Sequence, residues 1–287
     1  MSNFKKNFNN TKLHEAVKDL LNDKSVETDN FLYKHINAFE QALITTKYKS
    51  EDQINAQRIS AFKDIHKGED CFIIGNGPSL NKIDLEKLND YHTFGMNKIF
   101  LIFDRVPLDL SYFVSVNKLV VEQSTKEIEN FTIPCFISKW AAQKSLKKKD
   151  NIFPIETCAV SKTFETDLTQ SVPEGCTVTF FALQIAYYMG FERVFLVGVD
   201  HNFVQSGAPG EKQKHIEDDI NHFDPRYFKG NNWQLADLEG SELFYRCADF
   251  FYKRNGRKII DATHEGKLQI FPKIDYIEAL RLAKKKR

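Results

Sequence analysis

The 287-residue chain predicts an α/β fold: a Rossmann-like, mostly parallel sheet with helices on both faces, a lid insert and an N-terminal helical extension. Three observations lead there. From Cys71 onward, short apolar runs alternate with stretches of helical periodicity, which is the pattern of βαβ units. The first run, Cys71–Ile74, stops at Gly75-Asn76-Gly77-Pro78-Ser79, the outline of a strand, a tight loop and a helix. Asn97, Asn117 and Asp200 stand at the ends of three later runs, where open parallel sheets bind their ligands.

Residues 1–70 have a different texture, rich in Asn, Lys, Asp and Gln and almost free of glycine. Phe31, Leu32, Ile36, Phe39, Leu43, Ile44, Ile54, Ile59, Phe62 and Ile65 fall mostly three or four apart, with one gap after Ile44. That stripe predicts a helical extension. Its apolar face must pack on the main domain or on a second copy of the chain, so a homo-oligomer is expected. The main domain is expected over 71–287. Its strands are read at Cys71–Ile74, Thr93–Met96, Leu110–Val116, Pro134–Ile137, Val194–Val199 and Lys258–Ile260, and its helices at Lys118–Glu129, Val178–Met189 and Ser241–Arg254. Residues 201–240 break the alternation with Gly207, Pro209, Gly210, Pro225 and Gly230. Segments longer than about 12–15 residues without regular structure tend to be lids, binding loops or disordered. Phe223, Tyr227, Phe228 and Trp233 argue against disorder, so this insert reads as a lid. The Lys284–Arg287 tail reads as a solvated end.

Forty basic and 39 acidic residues leave a net charge of +1. Nothing in that balance favours a nucleic acid or a membrane surface as partner, and a small molecule fits better. The five cysteines, Cys71, Cys135, Cys158, Cys176 and Cys247, include no CxxC pair. Most lie in apolar surroundings that read as buried thiols, and a reducing cytoplasm suits them. The polar start MSNFKKNFNN lacks a signal-peptide core, and no window approaches the roughly 18 apolar residues of a membrane span.

Within the loop, Gly75 and Gly77 would let the backbone take positive φ and come close to a ligand, and Pro78 would start a helix whose free N–H groups face an anion. The same residues also suit a plain turn in which Ser79 caps the helix. A P-loop is excluded for want of Gly-Lys-Ser/Thr. The dinucleotide fingerprint fails because Leu80 stands where its third glycine belongs.

The string IIGNGPSL with Asp84-Leu85 and Asn97 resembles the start of the bacterial sialyltransferases of glycosyltransferase family 42. It is equally similar to a wider superfamily with the same Gly-x-Gly-Pro-Ser-Leu loop, which includes the motility-associated-factor flagellin glycosyltransferases and the archaeal 6-hydroxymethylpterin diphosphokinase-like proteins. The resemblance continues through Val116-Asn117-Lys118-Leu119, Glu122-Gln123 and Thr177–Asp200, and spans roughly residues 71–280. It implies a nucleotide site made by Gly75, Asn76, Gly77, Pro78, Ser79, Asn97, Asn117, Thr177, Thr179 and Asp200. Asparagine both donates and accepts, so it can meet a base edge or a ribose hydroxyl without adding charge. On this reading Gly77→Val should abolish a nucleotide response and leave the fold intact.

Glycosyl transfer needs a base for the acceptor hydroxyl and stabilisation of the departing phosphate, which the resemblance places in the insert. His222 is the expected base and Arg226 the expected partner of the phosphate, with Lys229 as a second cation. His201, Asn202, Tyr227 and Trp233 are expected around the substrate. These residues imply a cytoplasmic transferase of cell-surface polysaccharide assembly. Its donor would be a nucleotide sugar, CMP-linked to a sialic-acid-like sugar or Kdo, and its acceptor a glycan or glycolipid. Peripheral membrane contact is compatible with that role, and no metal is required. Two alternatives stand beside it. One is a diphosphokinase of the 6-hydroxymethylpterin type, using ATP and Mg²⁺ held by Asp200, His201, Asp218, Asp219, His222 and Asp224. The other is a nucleotide-binding scaffold without catalysis.

Overall fold

The computed structural model describes residues 51–158 and 163–286. The chain divides into two compact units, Met1–Ile54 and Asn55–Arg287. Among the described residues, all strands and the candidate site belong to the second. Of the expected helical extension, residues 1–50 lie outside the described residues and residues 51–60 are helical.

Five strands come first: β1 (Asp70–Ile74), β2 (His92–Met96), β3 (Tyr112–Ser115), β4 (Cys135–Ser138) and β5 (Ile152–Ile155). A short pair, β6 (Thr157–Cys158) and β7 (Val172–Pro173), precedes β8 (Arg193–Val197). An antiparallel hairpin of β9 (Lys212–Lys214) and β10 (Asn232–Gln234) then leads to β11 (Lys258–Asp261). The main sheet has the order β11-β8-β1-β2-β3-β4-β5, and every neighbouring pair in it is parallel. The Rossmann-like expectation therefore holds. Chain order runs outward from β1 to β5 and then returns to β8 on the other side of β1, so the topological switch lies between the ends of β1 and β8.

Parallel strands are covered on both faces and so alternate between two cores rather than between core and water. In β1, Cys71 and Ile73 join one core with Phe180, Phe181, Phe244 and Tyr252. Phe72 and Ile74 join the other with Val120, Ile128, Ala141 and Tyr276. The first core is covered by α4 (Val178–Tyr188) and α5 (Leu238–Arg254), the second by α1 (Lys118–Gln123), α2 (Thr125–Asn130), α3 (Lys139–Ser145) and α6 (Tyr276–Leu282). At the amino edge the fully buried Asp70 takes Arg193 Nε at 3.0 Å and Nη2 at 2.6 Å, joining the first residues of β1 and β8. The Lys284 N–H adds a third bond at 2.8 Å.

Four details differ from the sequence reading. The segment after the glycine loop is a pair of 3₁₀ turns, Pro78–Lys82 and Leu85–Asp90, with no α-helix. Its start is drawn down by Asp200, which takes both the N–H and the hydroxyl of Ser79. The single helix expected over Lys118–Glu129 breaks at Ser124, where the Thr125 hydroxyl donates back to the Val121 carbonyl at 3.1 Å and competes with the helical ladder. Strand β5 had not been expected. Only Cys71 and Cys135 are buried among the five free thiols.

The insert is folded throughout its described length. Phe223, Tyr227, Phe228, Trp233 and Leu235 belong to the second core. The Phe223 N–H donates to the Asn76 carbonyl at 2.9 Å, and Asn81 Nδ2 donates to the Phe223 carbonyl at 2.8 Å. It is thus a fixed wall against the glycine loop. Among the described residues no helix is long and apolar enough to cross a membrane.

Candidate functional site

A cavity of about 430 Å³ opens at the carboxyl edge of the sheet, over the switch point. It is lined by Gly75, Asn76, Gly77, Asn97, Asn117, Thr177, Thr179, Asp200, His201, Asn202, His222, Tyr227 and Trp233. Every residue expected to line the nucleotide and acceptor site is there except Pro78, Ser79, Arg226 and Lys229.

The glycine loop does something other than expected. Gly77 has φ −72° in extended backbone, and Gly75 is not among the positive-φ glycines. What both supply is room for the β8 loop: a Cβ on Gly75 would sit 2.1 Å from the Gly198 carbonyl oxygen, and one on Gly77 would sit 1.9 Å from Asp200 Oδ2. The N–H groups are also engaged internally. Gly75 donates to Val197 at 2.7 Å, Gly77 to Gly198 at 2.9 Å, and Ser79 to Asp200 Oδ1 at 3.0 Å, while the Ser79 hydroxyl meets Asp200 Oδ2 at 2.6 Å. Burial holds the Asp200 carboxyl above its ordinary value, although the Ser79 bonds pull the other way. This set of donors is an interlock between two strand ends. It leaves no row of free N–H groups for a phosphate.

The strand-end asparagines are largely satisfied too. Asn97 sits in left-handed backbone at φ 51°, a conformation asparagine tolerates better than most residues, and its Oδ1 accepts from Ser115 at 3.0 Å. Asn117 caps α1 through Oδ1, 2.9 Å from the Leu119 N–H, and donates Nδ2 to Gln234 at 3.0 Å. Asn76 donates to the Met96 carbonyl at 3.1 Å, but its Oδ1 is buried without a partner. That orphan acceptor is shielded within a residue that lines the cavity, so meeting a ligand N–H or O–H would need the side chain to turn.

Among the described residues no lysine or arginine lines the cavity, although Glu174, Asp200 and Asp237 do. Positive potential comes instead from backbone. The N-termini of α4, capped by Thr177, and of α5, capped by Asp237, both reach the wall. Each helix start acts as roughly half a positive charge. The carboxylates are committed: Asp237 accepts from the Gly240 N–H at 2.8 Å, and Glu174 from the Thr157 hydroxyl at 2.8 Å. Cys176 is also on the wall at φ 61°, its thiol pushed up to about 11 by burial first and Asp237 second.

The insert brings a histidine to the cavity. His222 Nδ1 is 2.9 Å from Asp219 Oδ2. Its ring lies flat on Tyr227, 3.9 Å between centroids at 5°, with Phe228 and Phe203 edge-on. Burial raises the Asp219 carboxyl, but the hydrogen bond and charge of His222 outweigh it and bring it below its ordinary value. An ionised carboxylate only accepts, so Nδ1 is the donor in this contact. Among the described residues Nε2 has no protein partner.

Arg226 lies outside the cavity, held by Asp224 at 2.8 and 2.9 Å and by Asp104 at 3.1 Å. Lys229 pairs with Asp218 at 2.7 Å. Neither is placed to meet a phosphate in the cavity. The six acidic and histidine groups considered for Mg²⁺ do not converge, since among the described residues three ligand atoms come together only at His66, Glu69 and His92. Tyr227 and Trp233 are almost wholly buried, the tyrosine hydroxyl accepting from the Lys98 N–H at 3.3 Å. Lys98 itself is buried behind them, bonded to the Tyr227 carbonyl at 2.7 Å, and desolvation lowers it to about 8. His201, at φ 52°, contacts Glu242 at 3.1 Å. Sequence reasoning missed Glu174, Cys176, Asp237 and Ser241 on the wall. The available signal was Asp237 standing three residues before Gly240 ahead of an amphipathic run, a helix start.

A family model described as 6-hydroxymethylpterin diphosphokinase MptE-like matches residues 46–206. No curated protein and no solved structure gives a significant match. The matched span includes the glycine loop, Asn97, Asn117, Thr177 and Asp200. It ends before Asp219, His222, Tyr227 and Trp233.

Proposed function

The chain belongs to the 6-hydroxymethylpterin diphosphokinase MptE-like family, and from that premise we propose that it is a nucleotide-dependent transferase acting on an acceptor hydroxyl, with a nucleotide sugar that carries a single phosphate as donor. The observation that carries this reading is the pairing of His222, backed by Asp219, with a cavity lined by helix N-termini and, among the described residues, by no lysine or arginine. In the proposed step, His222 Nε2 takes the proton of the acceptor hydroxyl as its oxygen bonds to the anomeric carbon. The bond from that carbon to the phosphate breaks, and the nucleoside monophosphate leaves with the electron pair beside the start of α4. One phosphate suits helix dipoles, whereas a triphosphate normally calls for lysine, arginine or a metal ion. A CMP-linked sugar fits this description. The amide edge of Asn76, with its unpartnered Oδ1, is suited to the base or the ribose.

A second reading is favoured by the family description itself: diphosphate transfer from ATP to a pterin-like alcohol. It would need Mg²⁺ near the wall carboxylates, with Tyr227 and His222 against the ring. Thermal unfolding in the presence of CMP, CDP, UDP, GDP and ATP, each with and without Mg²⁺, separates the two, because a ligand of the native state raises apparent stability. The transferase reading expects CMP to stabilise without metal. Stabilisation by ATP alone, and only with Mg²⁺, would replace it with the second reading, and silence from every nucleotide would point to a scaffold.

A further inference from the structure

We propose that His66, Glu69 and His92 form a binding site for a divalent transition-metal ion of the zinc class, at the amino edge of the sheet and across it from the cavity. Glu69 immediately precedes β1, His92 is the first residue of β2, and the two strands pair with Cys71 opposite His92. His66 lies three residues before Glu69 in a turn tied to the end of α4 by its N–H, 2.8 Å from the Met189 carbonyl. The fold therefore brings three separately anchored side chains to one point. His66 Nδ1 is 2.6 Å and His92 Nε2 3.1 Å from the same oxygen, Glu69 Oε2, and the three ligand atoms lie within 4.8 Å of one another.

Imidazole and carboxylate are the ligand types zinc takes, at bonds of about 2.0–2.1 Å, which places tetrahedral ligand atoms about 3.3 Å apart. The two nitrogen–oxygen spacings need to open by less than an ångström. Glu69 is the most exposed of the three side chains, at 32% against 12% and 16% for the histidines. The surroundings of His66 are those of a metal-ligating histidine. Its other nitrogen, Nε2, is 2.6 Å from the Tyr112 hydroxyl, and its ring stacks on Phe191 at 4.5 Å and 18°. Such a partner on the second nitrogen fixes the ring and aims the first. Three protein ligands leave a fourth position for water. The ion would clamp the turn before β1 onto β2, and its role is stability, remote from transfer chemistry at the opposite edge.

The test uses the full-length protein, stripped with chelator and titrated with ZnCl₂ and CoCl₂. One equivalent should bind with micromolar or tighter affinity and raise the unfolding temperature, since the ion binds only the folded arrangement. His92→Ala and Glu69→Gln should each weaken zinc at least about tenfold, while His264→Ala, at an exposed histidine, should not. Zinc-edge X-ray absorption of the unmodified protein makes the outcome independent of whether a variant folds: two imidazoles and oxygen are expected in the shell. Failure to bind one equivalent, unchanged affinity in His92→Ala, or a shell with sulfur or without imidazole would each overturn the proposal and leave Glu69 as a hydrogen-bonded bridge between two histidines.

Discussion

At the amino edge of the sheet, charge meets charge: Asp70 is fully buried against Arg193, and His66 and His92 share the carboxylate of Glu69. At the carboxyl edge the strands end on glycines, asparagines and helix caps, and the described cavity wall has acidic groups but no lysine or arginine. The two edges belong to the same seven strands. What separates them is the fate of polar groups. Side-chain pairs at one edge saturate one another and fix the strand starts, whereas at the other a few groups, His222 Nε2 and Asn76 Oδ1 foremost, are held rigidly and left unmet.

The comparison can be broken first at the amino edge. Arg193→Ala strands the buried Asp70 charge and should cost about 3–5 kcal/mol, read from urea unfolding. A loss below about 1 kcal/mol would show that the pair does not hold the edge. Next comes Gly75→Ala, whose new methyl meets the Gly198 carbonyl 2.1 Å away. Overpacking of this kind costs up to about 3 kcal/mol, and the unfolding midpoint should fall accordingly. Gly77→Val belongs with it. Its collision with Asp200 corrects the expectation that the loop can be altered with the fold intact.

His222→Gln tests the other edge. With transfer restored in vitro, turnover should drop at least about 100-fold while nucleotide affinity stays within twofold, separating proton transfer from binding. Asn117→Ala removes the cap of α1 and should cost about 1 kcal/mol without abolishing the nucleotide response, which is measured by the same thermal shift. The smallest effect is in acid. Asp219 is depressed in the folded state, so its contribution is complete above the ordinary carboxylate pKa of about 4 and is lost as pH falls through the depressed folded value. Urea midpoints at pH 6 and pH 3 should therefore converge between the parent and Asp219→Asn.

The positions of the strands were legible where the buried runs, such as Cys71–Ile74 and Val194–Val197, are continuous and apolar, as fully covered parallel strands tend to be. Strand β5 was not, since Ile152–Ile155 is four residues long and contains Pro154, a residue tolerated because β5 is the sheet's last strand. In the site, the residues that end strands could be named from their position alone. What they do there could not. Gly75 and Gly77 look the same in sequence whether they make room for a ligand or for another loop, and only the approach of Gly198 and Asp200 tells the two apart. His222 was reachable through resemblance, but its partnership with Asp219 three residues earlier depends on a turn that no periodicity announces. Arg226 was misplaced because a guanidinium followed its nearest carboxylates, Asp224 and Asp104, away from the cavity.

The unlined charge of the cavity has a kinetic side. Lysines and arginines around a site reach out through solvent, drawing anions in and making capture slow as salt rises. Helix starts act only within their first turn. With no lysine or arginine among the described lining residues, capture of a ligand is expected at the ordinary pace of neutral encounters, with a rate that hardly differs between dilute buffer and molar salt.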